Sequence, residues 1–176
     1  MSLDQVLRRE ASAREVPSPR DWEAIERRLG RLPMDYKEFV NSYGTGVVDE
    51  FLWVFSPSTR NDNLSLGCQH ENILADLRGT RDKYPVLYRV NVHPEVGGLF
   101  PMAGTDNGDT VYWETNGPPE AWTMAVMGPR APEIFRFAGG FVPFLVGILG
   151  RSVRCDRFPE EFPSHVPASF RPTEGW

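Results

Sequence analysis

Asp106, Asn107, Gly108 and Asp109 follow one another in the chain, and Glu114 stands five positions further on. Carboxylates spaced this closely invite a divalent cation, and a metal-dependent hydrolase would gather Asp106, Asp109 and Glu114 around one. A calcium loop needs Gly at position 6 and Glu at position 12. Counted from Asp106, those places hold Val111 and Gly117, so the match fails. No base or nucleophile signature accompanies the three acids. Asn-Gly between two apolar runs is instead a strong hairpin signal, because both central residues of a type I′ turn take positive φ. The reading that fits is a turn with solvated carboxylates, and no metal or other cofactor is expected.

The remaining reactive side chains are dispersed. Cys68 and His70 are ligand types two apart, yet Cys155, His93 and His165 supply no second pair at zinc spacing. The bland alternative is a core cysteine beside a half-exposed histidine. Ser/His/Asp, Walker and GxGxxG patterns are absent from the sequence. Five tryptophans remain. Trp22 and Trp113 sit in amphipathic patterns that read as core, whereas Trp53 and Trp122 lie in strand-like runs with one face turned to solvent or a partner. An outward tryptophan ringed by carboxylates makes a binding anchor. Asp49, Glu50, Trp53, Asp106, Asp109 and Glu114 are therefore the candidate partner-binding residues, and no catalytic residue is assigned.

Charge supports binding over chemistry. The net charge is −5 over 176 residues. Residues 1–44 balance, while residues 45–129 carry 5 basic against 11 acidic side chains, a net of −6. That field repels nucleic acid and favours a basic partner, though solubility alone accounts for the same excess. The N-terminus carries charges where a signal peptide needs an apolar core, and the longest apolar run, 141–149, is too short to span a bilayer. Two cysteines far apart make no disulfide framework, so a cytoplasmic setting is expected.

The elements that must position these residues follow from periodicity. A short helix is expected over 3–14, opened by Ser2 and Gln5. A second begins at Ser18-Pro19 and buries Trp22, Ile25 and Leu29 before Gly30. A third buries Tyr36, Phe39, Val40 and Tyr43 and stops at Gly44. Residues 51–55 alternate as a first strand. A helix over 66–84 follows, weakened at Gly79-Thr80, and residues 85–98 remain unassigned. Strands at 99–105 and 109–114, one around 122–126 and one at 134–137 make a meander, and a greasy helix runs from 141 to Gly150. Residues 151–176, with four Pro, read as a tail draped over the surface. The sum is an α+β fold: a mainly antiparallel central sheet of about five strands with helices packed on one face.

In this order the fragments resemble the SUKH superfamily, and within it the Smi/Knr-type domain. The matching residues are Trp22, Ile25-Glu26, Leu29-Gly30, Leu32-Pro33, Asp35-Tyr36, Phe39 and Tyr43-Gly44. They continue with Phe100-Pro101, Gly104, Asp106-Asn107-Gly108-Asp109, Tyr112-Trp113, Trp122, and finally Phe141, Phe144 and Leu145. The resemblance spans residues 18–150 and leaves an N-terminal helical extension at 1–17 and a Pro-rich tail at 151–176. It departs from the family pattern in those extensions and in a long middle region, 56–95. It implies an α+β fold and no shared catalytic residues. Many bacterial members are immunity proteins that neutralise toxins, often nucleases, and a eukaryotic branch includes a regulator of cell-wall synthesis. The expectation is a cytoplasmic protein that binds a basic toxin domain stoichiometrically. A regulatory scaffold with a housekeeping partner is the alternative, and the metal-dependent hydrolase is the third.

Overall fold

The computed structural model describes residues 1–129 and 131–173. Among them are five α-helices and one sheet of eight strands, so the expected α+β class holds, but the sheet is larger and mixed. Helix α2 (Pro19–Leu29) starts where the sequence predicts. The Ser18 hydroxyl accepts from the Asp21 N–H, and the Asp21 carboxylate accepts from the Ser18 N–H at 2.7 Å, a reciprocal cap. The Ser18 hydroxyl, which also donates to that carboxylate at 2.7 Å, and then the Ser18 N–H hold the Asp21 carboxyl below its usual range. Helix α3 (Met34–Tyr43) buries Tyr36, Phe39, Val40 and Tyr43. It also reaches across the chain, since Asp35 Oδ2 accepts from the Val142 N–H at 2.9 Å and caps α5 (Phe141–Leu149).

At the N-terminus, helix α1 stops after Leu3–Val6, and the chain extends as strand β1 (Leu7–Arg9) instead of continuing as a helix. Strand β2 (Gly46–Val48) turns into β3 (Leu52–Val54), and α4 (Leu66–Lys83) runs unbroken through Gly79-Thr80. Gly79 is exposed with no atom near its missing Cβ, so it weakens propensity without meeting a steric obstacle. Strands β4 (Leu99–Thr105), β5 (Thr110–Glu114), β6 (Thr123–Met127) and β7 (Ile134–Phe137) form the expected meander.

The proline-rich end is corrected most. Residues Ala168–Pro172 form strand β8, which lies inside the sheet, parallel to β1 and antiparallel to β2. The spatial order is β1-β8-β2-β3-β4-β5-β6-β7. The parallel β1–β8 pair is what makes the sheet mixed.

Helices cover both faces. Trp113, Met124 and Val126 point into a large core with residues of α2, α3 and α5. Tyr112, Ala125 and Met127 point the other way, into a smaller core with Leu74 and Leu77 of α4. The period-2 alternation of β5 and β6 feeds one side chain in turn to each layer. Among the described residues no helix is long and apolar enough to cross a membrane.

Candidate functional site

Helix α4 leaves part of its face of the sheet uncovered, and the candidate residue Trp53 lies there. Pairing sets Trp53 opposite Gly104, and Gly104 opposite Thr110, in one row across β3, β4 and β5. Trp53 is therefore on the α4 side while its neighbours Leu52 and Val54 enter the large core. Gly104 has no side chain to fill the space, and a Cβ there would stand 3.4 Å from the Phe55 ring. A cleft of approximately 530 Å³ results. Trp53, Phe55, Leu64 and Ile73 supply its apolar lining; Asn61 and Gln69 supply polar groups.

The turn after β4 makes one wall. Gly108 N–H donates to the Thr105 carbonyl at 2.9 Å, and Gly108 takes φ +84°. Asn107 has no positive φ, so this is not the expected type I′ turn. It is a turn whose left-handed residue sits one place later, next to the bulge position. The type I′ geometry appears between β2 and β3 instead, where Asp49 and Glu50 take φ +50° and +54° and Phe51 N–H donates to the Val48 carbonyl at 3.0 Å. Asp49 is held there by Ser164, whose hydroxyl donates to its carboxylate at 2.8 Å, and Glu50 pairs with Arg171 at 3.5 Å. Asp106 joins the two turns: its N–H donates to the Phe51 carbonyl at 3.1 Å and its carboxylate accepts from Trp53 Nε1 at 2.7 Å.

Asp109 corrects the picture of a solvated acidic tip. It is 7 % exposed and accepts from the Thr105 hydroxyl at 3.2 Å. Burial raises its pKa above the ordinary carboxylate value, against the opposing pull of Thr105 and then of Arg157. A carboxyl whose folded pKa is raised binds more protons folded than unfolded, so stability falls as pH rises from the unfolded pKa through the folded one. Asp109→Asn is expected to remove that fall and to raise stability near pH 7 relative to pH 3. Urea titrations of both proteins at pH 3 and pH 7 check it. A variant destabilised at pH 7 would show that the charge is favourable where it stands.

A family profile described as SUKH-6, SMI1-KNR4 cell-wall, matches residues 19–145. The chain belongs to that family. No curated protein and no solved structure matches it. The matched span of this SUKH domain runs from α2 into α5 and contains every residue that lines the cleft, whereas α1, β1 and β8 fall outside it.

Of the six candidate residues, the SUKH fold brings Asp49, Glu50, Trp53, Asp106 and Asp109 to one end of the sheet. Glu114 is at the other end of β5, paired with Leu99 and Thr123, and ion-paired with Arg136 at 2.8 Å. The trio Asp106, Asp109 and Glu114 is thus separated by the length of a strand. Among the described residues no group of three or more His, Cys, Asp and Glu is placed to hold a metal ion. Trp122, expected in a strand, instead precedes β6 at the end of a short turn and is buried, with Nε1 donating to the Gly117 carbonyl at 3.1 Å.

Sequence reasoning missed two features of this SUKH domain. Gly104, Phe55 and Asn61 shape the cleft, yet nothing in their spacing announces it. His70 and His93, dispersed in sequence, meet with Nε2 and Nδ1 3.0 Å apart against the Phe100 ring. Burial, with the neighbouring positive groups, pushes His70 down to about 4 and lowers His93 as well. Cys68 turns instead toward Asp62.

Proposed function

We propose that this SUKH domain is a non-catalytic binding protein that neutralises a basic toxin domain, acting in the cytoplasm by stoichiometric occlusion. The observation that carries the reading is the acidic end of the sheet, where Glu50 and Asp106 are exposed beside the tryptophan-walled cleft. A negative field of this kind attracts surfaces built for nucleic acid and raises the rate of encounter more than the final affinity. Family membership supports binding over chemistry, because the family resemblance carries no shared catalytic residues. The family description also names the cell wall, which favours a regulatory scaffold as the second reading.

Affinity capture of the tagged protein from its host, with mass-spectrometric identification, separates the two. A basic protein recovered at one-to-one stoichiometry is the expected result; a cell-wall or signalling partner would replace the first reading by the second. With that partner in hand, Glu50→Lys combined with Asp106→Lys should slow association roughly tenfold at low salt and much less at high salt. Both side chains are exposed, so the reversal does not place a lysine in the core, as it would at Asp109. Unchanged association kinetics would move the docking surface away from this end of the sheet.

A further inference from the structure

Asn61 is 9 % exposed, yet its side-chain amide is only half satisfied. Oδ1 accepts from the Asn63 N–H at 2.9 Å, which fixes the orientation of the amide. Nδ2 is then the end with no hydrogen-bond partner among the described residues. Buried polar side chains ordinarily have such a partner, because a donor left unpaired is costly. Asn61 lines the cleft of approximately 530 Å³, so a bound molecule that carries an acceptor meets the donor there. Gln69, on the same cleft, donates Nε2 to the Asp62 carbonyl at 3.0 Å and keeps Oε1 to accept. One donor and one acceptor on side chains of the same cleft match the C=O and N–H of a peptide main chain.

The rest of the surface says what such a peptide carries. Trp53 and Ile73 wall the cleft and Gly104 leaves its floor bare, which makes room for a large apolar side chain. A second cavity of approximately 170 Å³ shares Ile73, Gly108 and Thr110 with it and adds Leu77 and Met127. The apolar path therefore continues along α4 as a groove. Among the described residues no basic side chain lines either cavity. Asp62 lies between two lining residues, Asp76 lines the second cavity from α4, and Asp106 is bonded to Trp53 Nε1; all three are exposed. The Asp109 carboxylate takes no part, since it lies on the other face of the sheet with Thr105, beside Gly128 and Arg157. A groove of this kind repels anions and favours an apolar segment flanked by positive charge. An extended chain meets both demands, because its alternate residues point to opposite sides.

We propose that the groove binds an extended segment of the partner protein in which large apolar residues alternate with lysine or arginine. One apolar side chain fills the space over Gly104 between Trp53 and Ile73. Asn61 Nδ2 donates to a main-chain carbonyl, and the basic residues face Asp62, Asp76 and Asp106. The inference rests on the reading of the domain as a module that binds a basic protein, and adds the segment by which that protein is held.

The test uses the full chain and three synthetic peptides. Acetyl-Lys-Phe-Lys-Leu-Lys-amide presents the pattern, acetyl-Lys-Ala-Lys-Ala-Lys-amide keeps only its charge, and acetyl-Glu-Phe-Glu-Leu-Glu-amide keeps only its apolar side chains. The Trp53 indole N–H resonance, assigned with Trp53→Phe, is followed in each titration. A saturable shift is expected with the first peptide, and binding at least roughly tenfold weaker with each of the others. Asn61→Asp keeps the Oδ1 acceptor and the shape of the side chain but removes the donor. Charge alone would make that variant bind the basic peptide more tightly, whereas loss of the carbonyl bond makes it bind several-fold more weakly. Gly104→Leu should block binding by filling the space, and Ile73→Ala should weaken it even where Gly104→Leu fails to fold. Equal binding of the alanine peptide, unchanged or tighter binding by Asn61→Asp, or no saturable shift at millimolar peptide would overturn the proposal. Equal binding of the glutamate peptide would overturn the part given to the three acids. An affinity capture that recovers no basic protein bears on the functional reading alone, and the titrations still decide the groove.

Discussion

Trp113→Ala is expected to cost about 3–5 kcal/mol, the range for removing a buried tryptophan or phenylalanine side chain. Trp113 is fully buried in the strand that feeds both layers. Its ring meets Tyr36 edge-on at 5.0 Å, Phe100 at 5.4 Å and Trp122 at 5.8 Å, so truncation empties the centre of an aromatic cluster. Tyr36 loses a wall on one side while its hydroxyl still donates to the Phe55 carbonyl, which leaves little freedom for the cluster to collapse. For a chain of this length the loss corresponds to a melting midpoint lower by roughly 10 °C. Trp113→Phe should cost clearly less. It leaves a smaller void and removes an indole Nε1 that has no hydrogen-bond partner among the described residues. Circular-dichroism melts and urea curves of the two variants check the order. A loss below about 1 kcal/mol for Trp113→Ala would mean that the two layers are held together elsewhere.

Removing residues 164–176 is expected to abolish cooperative folding. The deletion takes out β8, which separates β1 from the sheet and bares the edge of β2. It also removes Phe170, fully buried and packed edge-on against Tyr43 at 5.2 Å and Phe39 at 5.8 Å. Ser164 and Arg171 go with it, and with them the groups that hold Asp49 and Glu50 in the left-handed turn. Loss of Phe170 alone accounts for about 3–5 kcal/mol, a large share of the 5–15 kcal/mol that keeps a domain folded. Near-UV circular dichroism should flatten, dye binding should rise, and the urea transition should broaden. Gly46→Ala probes the same contact with a single methyl group. Its Cβ would meet the Arg171 carbonyl oxygen at 2.4 Å and the Phe170 ring at 2.7 Å, costing about 1–3 kcal/mol. A truncated chain with an unchanged urea midpoint would return the C-terminal strand to the status of a surface tail.

Helices α2, α3 and α5 and the β4–β7 meander were legible from periodicity, caps and turn residues, because each of those signals acts within a few positions of the chain. The strands that were not legible, β1, β2 and β8, are short, and they owe their conformation to partners far away in sequence. Gly46-Val47-Val48 is too brief to show alternation. Ala168-Ser169-Phe170-Arg171-Pro172 lies after a proline-rich stretch that reads as a loop. The primed turn was expected at Asn107-Gly108 and formed at Asp49-Glu50, where contacts with Ser164 and Arg171 stabilise a backbone that neither residue favours by itself.

The same division runs through the candidate site. Composition and residue order alone determined a family, an acidic middle region, and Trp53 with Asp106 as residues worth watching. Only the tertiary structure decided that Asp109 is buried, that Glu114 belongs to the opposite end, and that Gly104 opens a cleft beneath the tryptophan. Local pattern encodes which face of a helix or strand is apolar. Whether a carboxylate meets water, a cation or neither depends on which distant elements are packed over it.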